Sequence, residues 1–372
     1  MQRLKTDYAN RKYVTITLTE ACNLDCTYCY ENHKSKNAIS LETLKEIVKR
    51  EMTANNGYID VEFDLFGGEP FLEFEKIKAI DEYIYHLDSN KKYVLFATTN
   101  GTLVHGEIKQ WLREHPHFIC GLSYDGTSYM QDINRSNSSK NIDLSFFKEL
   151  YPNQDVKMTV AKESLRTLSE GVIYLHENGF DVSCNLAYNI DWSDEMNQEI
   201  LQRELMKLIS YYLNHPQVTP CSMLEMSISN ISNFHNQNKF YRFCGAGIST
   251  IAYHSDGTAY PCQFFMPLSV GEEKAKESLS LKFYNDEIPP EFIEEKCSQC
   301  VAQSICPTCY GANFAATGNM YRHDDNYCKL TKIIIKARSY FKAMQWQKGQ
   351  LNISEGELVQ LLDSIRIIQN EL

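Results

Sequence analysis

Between Tyr13 and about residue 190, short apolar runs alternate with longer stretches in which apolar residues recur every three or four positions. The runs at 13–18, 60–66, 93–98, 118–124, 155–160 and 182–188 are rich in β-branched and aromatic residues and predict strands. Stretches near 41–53, 74–88, 105–114, 143–150 and 165–178, with a longer one at 194–213, predict amphipathic helices. Strands that alternate with helices build a parallel sheet through right-handed crossovers. Six repeats fall short of the eight of a closed barrel. The expected fold class is therefore α/β, a partial (β/α)6 TIM-like barrel.

The pattern breaks after about residue 215. Residues 216–296 carry turn clusters (HSDGTAYP, IPPEF) without a helical period, and the tail from Leu330 onward predicts two helices. The expected domains are a barrel over 12–215, a bridging segment over 216–240, a small irregular cysteine-rich domain over 241–330 and C-terminal helices over 331–372.

Charge and composition narrow the function classes. With 37 Lys and Arg against 48 Asp and Glu, the formal charge of −11 gives no footing for nucleic acid, which needs basic patches. No apolar run approaches the roughly 20 residues that span a bilayer, so no membrane partner is expected. The N-terminal stretch MQRLKTDYANRKY lacks the apolar core and small-residue cleavage site of a signal peptide, and a cytoplasmic location follows as an expectation. Thirteen cysteines in such a chain point to metal ligation, catalysis or burial rather than to disulfides.

Cys22, Cys26 and Cys29 form C-x3-C-x2-C directly after the first predicted strand. Three thiolates on one short loop hold three irons of a [4Fe–4S] cube and leave the fourth open to a chelating substrate. A zinc site completed by His33 is the alternative on spacing alone. Gly67-Gly68-Glu69-Pro70 follows the second strand, Thr98-Thr99-Asn100-Gly101 the third, and Ser123-Tyr124-Asp125-Gly126 the fourth. Sites of parallel α/β folds gather at that rim of the sheet.

With these motifs in this order, the chain resembles the radical S-adenosylmethionine (SAM) superfamily. The resemblance implies a catalytic cluster on Cys22, Cys26 and Cys29. It implies SAM contacts from Tyr28, from Gly67, Gly68 and Glu69 to the amino group, and from Asn100, Ser123, Asp125 and Arg135. A guanidinium suits the SAM carboxylate because it donates two parallel hydrogen bonds.

A second array reads Cys244-x12-Gly257-x4-Cys262, a gap, Cys297-x2-Cys300-x5-Cys306-x2-Cys309, and Cys328 eighteen residues later. It resembles the seven-cysteine SPASM extension of radical SAM enzymes, with one residue fewer between Cys306 and Cys309 and one more before Cys328. The resemblance spans residues 12–330 and implies two auxiliary [4Fe–4S] clusters, three clusters in all. Cys297, Cys300, Cys306 and Cys328 would hold one; Cys244, Cys262 and Cys309 the other. A pair of zinc ribbons is the alternative on spacing. Cys120 and Cys184 read as core residues of strands, and Cys221 as either a core residue or an eighth ligand.

The implied chemistry is reductive cleavage of SAM to a 5′-deoxyadenosyl radical, which removes a hydrogen from a C–H bond of a peptide or protein. The expected partners are a cysteine-containing ribosomal precursor peptide, or a protein, and a one-electron donor such as flavodoxin or ferredoxin. Sulfatase-type formylglycine formation places an Asp base after the cysteine of its YPC motif; here Tyr260-Pro261-Cys262 is followed by Gln263. Seven ligands for two cubes leave one auxiliary iron open, bound by a remote residue such as Cys221, or reserved for substrate; an open iron would take a substrate thiolate, so a thioether cross-link is the expected product, with formylglycine or a carbon–carbon cross-link as alternatives. About twelve residues precede the first strand, which leaves the recognition of a leader unassigned. The aromatic runs at 240–243 and 310–314 read as packing, or as the lining of a peptide channel, and EEKAKE at 272–277 as a solvated surface.

Overall fold

The structure, a computed structural model, describes residues 10–236, 240–285 and 287–372. The N-terminal stretch assessed above for a leader lies outside the described residues up to position 9, as do residues 237–239 of the expected bridging segment. In chain order the alternating part comprises β1 (Arg11–Thr19), α1 (Leu41–Thr53), β2 (Asp60–Gly67), α2 (Phe74–Tyr85), β3 (Lys92–Thr99), α3 (Gly106–Glu114), β4 (Ile119–Leu122), α4 (Ser128–Asn134), α5 (Leu144–Leu150), β5 (Val156–Val160), α6 (Leu168–Glu177), β6 (Val182–Leu186) and α7 (Met196–Asn214). Shorter elements follow: α8 (Ser222–Glu225), β7 (Phe240–Tyr241), β8 (Thr250–Tyr253), β9 (Ala259–Tyr260), α9 (Pro267–Val270), α10 (Glu272–Ser278), β10 (Glu287–Ile288), α11 (Glu295–Ser298) and α12 (Tyr310–Thr317). Two long helices end the chain, α13 (Asp325–Gln347) and α14 (Glu355–Glu371).

These elements divide into two compact units that do not follow chain order. The first holds residues up to Tyr124, Gln131–Lys157 and Gly245–Phe283. Its sheet runs β4-β3-β2-β1-β8-β9, with β1 to β4 parallel, β8 parallel to β1, and β9 antiparallel at the edge. Burial along β2 alternates, so Val61, Phe63 and Leu65 share one buried face while Glu62, Asp64 and Phe66 line the other. Arg11 fastens β1 to β2 with two bonds to Asp60 Oδ2 (2.6 and 3.1 Å) and one to Glu62 (2.9 Å). Ser40 caps α1 through Thr43 N (3.0 Å), and Leu44, Ile47, Val48 and Met52 form its buried stripe.

The segment expected to be irregular thus contributes strand β8. Its four residues, TIAY, are too few to show a period, and their partner β1 lies far upstream, so no local signal marks the pairing. The EEKAKE run is helical, exposed except for Ala275.

The second unit holds Asp125–Met130, Met158–Cys244 and Tyr284–Leu372. Strands β5 and β6 pair with each other, and helix α7 packs on α6 and α13. A separate apolar cluster joins Ile228, Ile231, Val301, Ile305, Ile335, Leu361, Ile365 and Ile368, so α14 completes a core rather than trailing as a tail.

Candidate active site and cysteine clusters

The cysteine loop of the first unit is set by backbone contacts. A Cβ on Gly67 would lie 2.1 Å from Thr19 O and one on Gly68 2.3 Å from Ala21 O, so the two glycines let the loops after β1 and β2 meet main chain to main chain. Gly68 N and Glu69 N then donate to Thr19 O (3.0 Å) and Ala21 O (2.9 Å). Further along, Thr27 N donates to Asn134 O (3.0 Å), Asp25 N to Ser136 Oγ (2.9 Å), and Lys34 Nζ to Leu24 O (3.2 Å).

Glu69 is buried, and its carboxylate accepts from Thr99 Oγ1 (2.7 Å), Phe71 N (3.2 Å) and Asn100 N (2.8 Å). Burial pushes this acid up to about 7, against those hydrogen bonds. Asn100 donates to Asn23 Oδ1 (2.9 Å) beside Cys22, and Asn23 donates to Thr102 (2.8 Å). The Arg135 guanidinium lies over the Tyr28 ring, 5.4 Å from its centroid. Ser123 N donates to Thr99 O (2.9 Å), which carries the fourth motif alongside the third. Tyr28, Gly67, Gly68, Glu69, Asn100, Ser123 and Arg135 thus share one unit with Cys22, Cys26 and Cys29. Asp125 belongs to the other, where it is fully buried and accepts from Thr159 N (3.0 Å).

Burial alone would lower Lys34, yet Cys29, Cys22 and Cys26 hold its ammonium above the ordinary lysine range. One cation therefore feels all three thiols of the loop. Glu31 was not singled out by the sequence. It is buried, pushed up to about 8 by desolvation, opposed by Lys34 and reinforced by Asp64 and Glu69. Its Oε1 has no hydrogen-bond partner among the described residues. Only the alternation of β2, which turns Asp64 away from the face of Phe63, could have hinted at such an acidic group. Cys262 lies in this unit too, buried, with Tyr30 stacked on Phe264 at 4.1 Å two residues on.

In the second unit, desolvation pushes the Cys306 thiol up to about 12, and Cys328, Cys300 and Cys297 add to it. Cys297 rises to about 11 by burial, then through Glu294 and Cys328. These four cysteines line one cavity of about 410 Å³ together with Lys296, Lys332, Tyr310 and Phe243. Cys309 stands apart: its Sγ caps α12 through Ala312 N (3.5 Å), and burial followed by Cys244 pushes it up to about 11. Cys120, Cys184 and Cys221 are fully buried, Cys221 beside the Tyr212 hydroxyl, which accepts its N–H at 2.9 Å.

Among the described residues no cysteine is joined in a disulfide. Among the described residues no three His, Cys, Asp or Glu side chains are grouped to hold a single metal ion. The donor chemistry suits a cube, which spreads its thiolates over separate irons. Of the aromatic runs, Phe243 and Tyr310 line the cavity of the second unit, while Phe314 is buried packing. Among the described residues no helix is long and apolar enough to cross a membrane.

Comparison with known proteins places the chain. It is 24% identical to a cysteine-type anaerobic sulfatase-maturating enzyme of Clostridium perfringens over 327 residues, 77% of this chain and 85% of the relative. It is 20% identical to the radical SAM cyclopropyl synthase TigE of Paramaledivibacter caminithermalis, covering 87% and 73% of the two chains. The solved structure of native anSMEcpe with bound AdoMet and Kp18Cys peptide superimposes with a TM-score of 0.67 at 20% identity, covering 92% of this chain and all of that one. That likeness shows the fold, the α/β partial barrel with a parallel sheet. The Radical SAM superfamily description matches residues 16–203, half of the chain, and the protein is therefore an enzyme of the radical SAM superfamily.

Proposed function

We propose that the enzyme is a peptide maturase that installs a thioether cross-link in a cysteine-containing, ribosomally made precursor peptide, and that its C-terminal cysteine array is a SPASM domain with two auxiliary clusters. The observation that carries this reading is the unequal division of the array: Cys297, Cys300, Cys306 and Cys328 line one cavity, whereas Cys309 does not, its thiol being pushed up by burial and then by Cys244. By the sequence resemblance Cys262 is the third member of the second set, which leaves one corner of its cluster for a substrate thiolate. Cys221, the candidate for closing it, sits in a core with Cys184 and Tyr212.

Cys22, Cys26 and Cys29 would hold the first cluster, which with bound SAM supplies one-electron cleavage to methionine and the 5′-deoxyadenosyl radical. The residues of the chain do the positioning. Glu69, fixed by Thr99 and Asn100, presents its carboxylate edge and the Gly68 main chain to the SAM amino group. Arg135, braced on Tyr28, offers two parallel donors to the carboxylate. A flavodoxin or ferredoxin would deliver the electron.

Peptide chemistry is supported by the relatives' names and by the peptide bound in the similar structure. Thioether formation is favoured over formylglycine because Gln263 follows Cys262 and a carboxamide takes no proton at neutral pH. The test is anaerobic incubation of the reconstituted enzyme, SAM and dithionite with candidate precursor peptides. A thioether removes two hydrogens per bond and one alkylatable thiol. An aldehyde-reactive product would install the formylglycine reading instead, and unchanged peptide mass with deoxyadenosine release would sink the cross-link.

A further inference from the structure

Charge is unevenly spread along the chain. Acids outnumber bases overall, yet between Asp325 and Glu355 the sequence holds Lys329, Lys332, Lys336, Arg338, Lys342 and Lys348 with no Asp or Glu. That stretch is helix α13 and the turn after it. Helices α1, α2, α3, α7 and α14 instead interleave Lys or Arg with Glu or Asp. Lys329, Lys332, Lys336 and Tyr340 recur at steps of three and four residues and so form one stripe along α13. Lys329, Lys336 and Tyr340 are exposed and Lys332 is half-buried. Among the described residues no carboxylate makes an ion pair with these three lysines. Acids of α13 and of α14, which packs on it, are engaged elsewhere: Asp325 with Lys296, Glu357 with Ser354 and Asp363 with Arg366. Like charges at such steps repel, so the stripe is a cost to the chain on its own. At one end it meets the four-cysteine cavity, which Cys328 and Lys332 of this helix both line, together with Lys296 and Arg242.

We propose that this stripe is the docking face for an acidic one-electron carrier protein, of the flavodoxin or ferredoxin class, which passes its electron to a cluster held by the four cysteines. The inference rests on the reading that those cysteines hold iron. Two observations choose this occupant. The face is basic in a chain of net charge −11, so it complements an acidic partner. It also ends on a cavity lined by four thiols, so a carrier seated on it lies beside an electron acceptor. Each encounter oxidises the carrier by one electron and reduces the cluster by one; no covalent bond forms or breaks. Electron-transfer partners of this kind bury little surface and use charge complementarity for speed more than for affinity. Tyr340, 45% exposed, adds an aromatic contact to the charged stripe.

The experiment uses the reconstituted full chain and a purified acidic flavodoxin as the probe. Affinity for oxidised flavodoxin is measured by titration, and cluster reduction by reduced flavodoxin or by dithionite is followed in stopped flow. The double variant Lys329→Glu with Lys336→Glu should bind flavodoxin on the order of tenfold more weakly in dilute salt, and be reduced by it more slowly by a similar factor. Dithionite should reduce it at the parent's rate, and its iron content should equal the parent's. Replacing the same two lysines by Gln should give a smaller loss, and the difference from the parent should shrink by about 0.5 M salt, where charges are screened within a few ångströms. Lys49→Glu with Lys92→Glu, at exposed positions in the first unit, matches the change in net charge and should leave binding as in the parent. Equal affinity in parent and stripe variant overturns the proposal, as does an equal loss in the Lys49 and Lys92 variant. An acidic precursor peptide that binds through the stripe while flavodoxin does not bind overturns it too, and reassigns the face to substrate. Failure of the underlying reading looks different: Cys306→Ala would then keep the parent's full iron content, with flavodoxin binding unchanged.

Discussion

The loop carrying Cys22, Cys26 and Cys29 hangs from a nine-residue strand paired on both sides, whereas Cys297 and Cys328 sit on a four-residue helix and the first turn of α13, with Cys300 and Cys306 in the connections between. The first loop is gripped by main-chain bonds from Gly68, Glu69, Thr27 and Asp25, and its three cysteines are half-buried, like the four of the second region. Burial pushes thiols up in both regions, Cys22 and Cys29 in the first and Cys306 and Cys297, to about 12 and about 11, in the second, but the second has only short helical turns around Cys297, Cys300 and Cys306. Sheet and glycine contacts position the first set with or without metal. The second set lacks that scaffold, and on the proposed reading ligation itself would supply the bonds that hold the segment. The proposed reading therefore sets a cysteine site that a fold carries against a cysteine site that helps make the fold.

Removing ligands should break this comparison most visibly. Replacing Cys22, Cys26 and Cys29 together by Ala should abolish deoxyadenosine formation, while hydrogen exchange in β1 and β2 stays as slow as in the parent. Protection lost across that sheet would mean that the first site, too, depends on its metal.

Cys306→Ala, or iron removal by chelation, should do the reverse. Exchange protection should fall across residues 287–328 while β1 to β4 keep theirs. Equal protection with and without iron in both regions would erase the proposed difference.

Two glycines sharpen it further. Gly68→Ala drives a Cβ to within 2.3 Å of Ala21 O, which should cost about 1–3 kcal/mol and lower iron retention at the first site. Gly318 ends α12 at φ +74° with nothing within 4 Å of an added Cβ. Gly318→Ala should therefore cost only about 1 kcal/mol, through backbone strain. Chemical denaturation of the two variants checks the order.

The smallest effect belongs to a cap remote from both sites. The Asp143 side chain accepts from Phe146 N at the start of α5, and Lys109, then Ser145, hold its carboxyl down to about 2. Its depressed value means that stability is present above the ordinary carboxylate range, near about 4, and is lost as pH falls towards about 2. Asp143→Ala should cost about 1 kcal/mol at neutral pH, kept small by the half-exposed pair with Lys109. The penalty should shrink in acid; a constant penalty between pH ~6 and ~2 would assign it to packing instead.

Much of the alternating part of the chain was legible before any coordinates. The periods of two and of three to four mark each strand from β1 to β6 within a few residues, because strands and amphipathic helices are local patterns. The GGEP motif reads equally well as a turn; that its glycines press against Thr19 and Ala21 is visible only in three dimensions. Glu31 and Lys34 escaped notice because nothing in a polar loop says which charged side chain turns inward. Strand β8 escaped because four residues carry no period, and the bonds that define it come from β1.

What the sequence determined by itself is local: strand and helix order, the C-x3-C-x2-C loop, the glycine pairs, and the superfamily these spacings belong to. Tertiary structure alone decided which far-apart groups face one another. It gathered Cys297, Cys300, Cys306 and Cys328 around one cavity that Cys309 does not line, although only two residues separate Cys306 from Cys309. It also grouped residues 245–283 with the N-terminal sheet. The reason is physical: spacing along the chain governs contacts within a turn or two, whereas desolvation and charge pairing depend on neighbours that only the folded chain supplies.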